Sequence, residues 1–103
     1  MRRGTTPTIT LKINTELDLN NVSECWVTLK DNLGAKQKTF TIDNIFIDPE
    51  LKTIEIAMTQ EETLMFNTGV VNIQVRIRLN DDQAYASDIK QIKMQSILKD
   101  GEI

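Results

Sequence analysis

Apolar and polar residues alternate with a period of two along most of this chain, the period of a strand with one buried face. From Thr8 to Asn14, Ile9, Leu11 and Ile13 alternate with Thr10 and Lys12; Pro7 stands just before, where it removes no ladder bond. Thr15 to Asn21 is polar and reads as a loop. A second strand is predicted from Val22 to Lys30, with Cys25, Val27 and Leu29 on one face and Trp26 and Thr28 on the other. Asp31-Asn32-Leu33-Gly34 reads as a hairpin connection, in which Gly34 supplies a positive φ. Lys36 to Ile42 is the third predicted strand, with Phe40 and Ile42 inward, and Ile45-Phe46-Ile47 is a short apolar piece before the turn Asp48-Pro49-Glu50.

Ile54, Ile56 and Met58 then alternate with Glu55 and Ala57 as a fifth strand. At Thr59 the pattern changes. Thr59-Gln60-Glu61-Glu62 has the form of a capping box, and its acidic residues suit the positive end of a helix dipole. A short helix is predicted from Gln60 to about Phe66, stopping near Gly69. Val71, Ile73, Val75, Ile77 and Leu79 alternate with Asn72, Gln74, Arg76 and Arg78 in the cleanest strand pattern of the chain. After the turn Asn80-Asp81-Asp82, a long last strand is predicted from Gln83 to about Leu98. In it Tyr85 and Ile89 lie in one phase and Ile92 and Met94 in the other, so a β-bulge or bend is expected near Lys90-Gln91. The tail Lys99 to Ile103 is expected to fray.

About seven short strands, turn signals every ten residues or so and one helix make an all-β chain. The expected architecture is an immunoglobulin-like antiparallel β-sandwich spanning residues 1–103 as a single domain. The cysteine–tryptophan–cysteine spacing of antibody domains is missing, because Cys25 and Trp26 are adjacent and there is no second cysteine.

Composition narrows the chemistry. A 40% hydrophobic and 26% charged chain has enough apolar surface to order its body. A net charge of −3 argues against nucleic acid as a partner. No apolar run approaches the roughly 20 residues of a membrane span, and Met1 to Pro7 does not read as a signal peptide. The single cysteine, Cys25, lies in an apolar run and reads as a buried thiol. There is no histidine, which removes the commonest general base and metal ligand at neutral pH and excludes histidine-dependent triads. The glycines stand singly, so no phosphate-binding loop is present. Carboxylates at Asp81-Asp82, at Glu61-Glu62 and among Asp43, Asp48 and Glu50 read as solvated turns and a helix start rather than as metal or acid/base sites. No catalytic residue, cofactor site or metal site is assigned, and the chain is expected not to be an enzyme.

What remains are contact residues. Gln74, Arg76 and Arg78 form a polar stripe suited to carboxylates, or simply a solvent face. Trp26 reads either as a cap on the core, the favoured placement, or as an interface anchor. The candidate partner-binding set is Trp26, Gln74, Arg76, Arg78, Tyr85, Ile92 and Met94, with the last strand as the principal contact element.

Two blocks resemble a known group. Met1 to Thr8 (MRRGTTPT), and Met58 to Phe66 (MTQEETLMF) running into Val71 to Arg76 (VNIQVR), are similar to small proteins encoded by phages and prophages of Gram-positive bacteria. The end, Ile97 to Ile103 (ILKDGEI), is similar in style to their C-termini. The resemblance implies a tail- or baseplate-associated component with an immunoglobulin-like sandwich, and it carries no catalytic motif. The expected function is therefore a non-enzymatic phage structural protein that assembles or attaches tail or baseplate parts. Its expected partners are other tail or baseplate proteins or copies of itself, with a homo-oligomer as one form. It would be made in the bacterial cytoplasm and associate with the virion. The alternative is a small β-sandwich module that binds carbohydrate or calcium through its loops.

Overall fold

A computed structural model describes residues 1–103. Eight strands and one short α-helix follow one another along the chain. The strands are β1 (Thr8–Lys12), β2 (Val22–Asp31), β3 (Gln37–Phe40), β4 (Phe46–Asp48), β5 (Thr53–Ala57), β6 (Gly69–Leu79), β7 (Ala84–Ala86) and β8 (Lys90–Met94); helix α1 (Gln60–Leu64) lies between β5 and β6.

The strands form two antiparallel sheets, one ordered β1-β5-β4 and the other β3-β2-β6-β7, with β8 also on β6. Those are the relative orders of the strands in an immunoglobulin-type sandwich, less its first strand. Period-two side chains from both sheets meet in one cluster of 16 buried apolar residues. β6 contributes most evenly: Val71, Ile73, Val75, Ile77 and Leu79 are all 5% exposed or less. Each such side chain contributes roughly 1.5–3 kcal/mol by leaving water. Ile54 and Ile56 of β5, and Met58 just past its end, face them from the side of the smaller sheet.

Local signals act as expected at several turns. Asp48 Oδ1 accepts from the backbone N–H groups of Glu50 and Leu51, tightening the Pro49 turn. Gly34 has φ +74° in the β2–β3 hairpin. Thr59 Oγ1 accepts from Glu62 N at 3.1 Å and Glu62 Oε1 accepts from Thr59 N at 2.8 Å, so the capping box closes on both sides.

Other expectations are corrected. Thr15 to Asn21 is not a plain loop: Leu19–Asn21 forms a 3-10 turn capped by Asp18, and Leu19 is buried. The third strand ends at Phe40, because Ile42–Asn44 turns into a second 3-10 segment. Helix α1 ends at Leu64 rather than Phe66, and Gly69 starts β6 instead of stopping the helix. The carbonyls at and just past the end of the helix are claimed by Arg3, whose Nη2 donates to Leu64 O and whose Nε donates to Phe66 O. A cation there also complements the helix dipole.

The long last strand is two strands. Arg76 pairs with Ala86, but Ile73 pairs with Lys90. Three residues, Ser87 to Ile89, thus stand opposite two, Gln74 and Val75, which is a one-residue bulge. It lies slightly before the expected phase slip. Ser87 holds it: its N–H donates to Val75 O, its Oγ accepts from Val75 N, and its carbonyl accepts from Gln74 Nε2. Beyond β8, Arg2 and Gln95 form a parallel bridge. The tail is tied down rather than loose, since the Gln60 side-chain amide bonds both Ile103 N and Ile103 O and Asp100 pairs with Arg3.

Candidate docking face

Alternation along β2 and β6 sends every second side chain away from the core, onto the outer face of the larger sheet. Their register sets these residues in rows. Trp26, Arg76 and Ala86 are neighbours across β2, β6 and β7, and Glu24, Arg78 and Ala84 form the next row. Thr28 and Gln74, then Lys30, Asn72 and Gln91, continue toward the other end.

Trp26 is 43% exposed, so it is not the core cap that its size suggested. The physical reason is the pleat: Cys25 and Val27 take the inward positions, and no third layer covers the outer side. The Arg76 guanidinium lies over the Trp26 ring, 5.5 Å from its centroid. That contact holds both side chains in place and contributes about 0.5–1 kcal/mol at an exposed site. Arg78 donates from Nε to Ser23 Oγ at 3.2 Å. Neither arginine has a carboxylate within ion-pair distance; the two ion pairs of the molecule are Arg3–Asp100 and Lys38–Glu62. Glu24, the acidic residue of this face, is occupied with backbone, its Oε1 accepting from Cys25 N and Ile42 N. Lys30 and Lys93 project on the same side. A chain of net charge −3 therefore carries a cationic face with a tryptophan in it. Between Trp26, Arg78 and Ala84 the surface dips into a shallow groove of about 150 Å³.

The seven candidate contact residues divide by the bulge and the pleat. Trp26, Gln74, Arg76 and Arg78 come together on the outer face. Ile92 and Met94 do not join them, and Tyr85 meets them only in the groove, which it lines with Trp26, Arg76 and Arg78. Tyr85 stands opposite Ile77 and Ile92 opposite Val71, both in the inward phase. Met94 has no exposed surface, so it is a core residue and not a contact. Ile92 packs on the core cluster, as does Tyr85, whose hydroxyl reaches Asn14 O at 3.3 Å. Ala84 and Ala86 belong to the face and were missed, because an alanine carries no chemical signal of its own.

The acidic loops have their own work. Asp18 accepts from Asn20 N and Asn20 Nδ2, and these bonds hold its carboxyl below the usual aspartate range. Asp81 accepts from Gln83 N and Gln83 Nε2. No group of three cysteine, aspartate or glutamate side chains converges where a metal ion would sit. Cys25 is fully buried, and burial, with a smaller push from the Glu24 charge, raises its thiol to about 12.

Comparison with protein-family models, with curated proteins and with solved structures returns no significant match.

Proposed function

We propose that this protein is a non-enzymatic docking module, a tail or baseplate assembly or attachment component of phage or prophage origin. It would work by binding another protein through the outer face of its larger sheet. The phage part of this reading rests on the resemblance of the Met1–Thr8, Met58–Phe66 and Val71–Arg76 blocks. The docking part rests on one observation: an exposed Trp26 held under Arg76, beside Arg78, with neither arginine in an ion pair. Tryptophan and arginine are the side chains that most often dominate interface energetics.

Light scattering after size exclusion, over a wide concentration range, tests the self-association form. A discrete assembly that dissolves in Trp26→Ser and Arg76→Ser supports docking through this face. If the protein stays monomeric, titration against purified tail and baseplate proteins follows. Absence of binding there, or binding that both variants retain, overturns the reading.

A further inference from the structure

The docking face ends at a free strand edge. β7 pairs with β6 on one side and with nothing on the other. Leu79 N–H donates to Gln83 O and Ser87 N–H donates to Val75 O, so the odd-numbered residues here turn their backbone groups toward β6. The N–H and C=O of Ala84 and Ala86 consequently point outward, where a further strand would pair. Both alanines are exposed, and their side chains lie on the outer face, beside Arg78 and Arg76 respectively.

We infer that the outer edge of β7 takes up an extended acidic segment of a partner protein as an added strand, with Asp or Glu at positions i and i+2 of that segment facing Arg78 and Arg76. This rests on the docking reading above and makes it specific. Strand addition supplies main-chain bonds, and side chains at alternate positions supply selectivity. An added strand lies about 10 Å from β6, two strand spacings away. Both guanidinium groups rest toward β2, Arg76 over Trp26 and Arg78 on Ser23 Oγ. To meet a carboxylate across that gap each swings back over β7, where only the methyl groups of Ala86 and Ala84 stand in the way. Outward residues of an extended segment recur every ~6.6 Å, as Arg76 and Arg78 do on β6. The residue between the two acids would turn inward and cover the rim of Tyr85, which favours an apolar side chain there.

The test is selection of random seven-residue peptides on the immobilised full chain at low salt, followed by fluorescence anisotropy with the enriched peptides. The expected result is enrichment of acidic–apolar–acidic sequences. Their affinity should fall by about tenfold or more for Arg76→Ser with Arg78→Ser. It should also fall when the peptide amides that pair with Ala84 and Ala86 are N-methylated. Amide resonances of Ala84 and Ala86 should shift on binding. Enrichment of neutral or basic sequences, or affinity indifferent to the arginines, overturns the inference. So does binding that needs the arginines but tolerates N-methylation, an outcome that leaves docking on the open face intact. The peptide arm stays decisive even where an arginine variant folds poorly.

Discussion

On β2, Cys25, Val27 and Leu29 have no exposed surface, whereas Trp26, set between the first two, keeps 43% of its own. On β6, Ile73, Val75 and Ile77 are at most 3% exposed, whereas Arg76 and Arg78 stand in solvent. The same two strands, with the same main-chain ladder, thus present an aliphatic face and a cationic aromatic one. The inner face has a second sheet to pack against; the outer has none. Substitutions one residue apart should therefore act on different properties: folding when they fall on the inner face, binding when they fall on the outer.

The sharpest test of that contrast is Ile73→Ala, which leaves a cavity between the sheets and should cost about 3 kcal/mol in urea or guanidinium unfolding. A loss under about 1 kcal/mol would mean that the sheets close over the cavity, and the contrast between faces would weaken. Next in size is the pH dependence of Cys25. Its folded thiol ionises only near 12, against 9.0 for the ordinary thiol. The stability it contributes is full below about pH 9 and is lost as pH rises from there toward 12, by about 1.4 kcal/mol per pH unit, because the unfolded chain ionises first. Between about pH 9 and 11 the stability of the wild type should fall relative to that of Cys25→Ala with that slope, as read from denaturation curves. The native thiol should also resist alkylation until the protein unfolds.

A smaller effect sits at the bulge. Ser87→Ala removes the acceptor of the Val75 N–H and should cost about 1 kcal/mol. Loss of protection of the Val75 amide in hydrogen exchange would locate the damage. Smallest on stability are the outer-face changes. Arg76→Ala should alter unfolding by less than about 1 kcal/mol, since it removes one exposed cation–π contact. A larger loss would show that the outer face helps to hold the fold, and would undo the separation of roles.

Much of this was legible in the residues. Alternation placed the inward positions of β2, β5 and β6, and the Thr59–Glu62 box located the helix start to the residue. The opposed phases of Tyr85 and Met94 announced a bulge, displaced by two or three residues because Ser87 could be seen to close it only once Val75 lay opposite. Of the candidate contacts, the four on β2 and β6 share a face, while Met94 is core. A period of two says that side chains alternate; it does not say which phase another layer will cover.

By itself, then, the sequence determined where strands run, which residues share a face, and how the turns and the helix begin, since these depend on neighbours within a few positions. Only the tertiary structure decided which strands pair, that Arg3 closes the end of the helix from over 60 residues away, and that Trp26 stays in water. Those outcomes depend on which surfaces meet across the chain, and no local pattern encodes them.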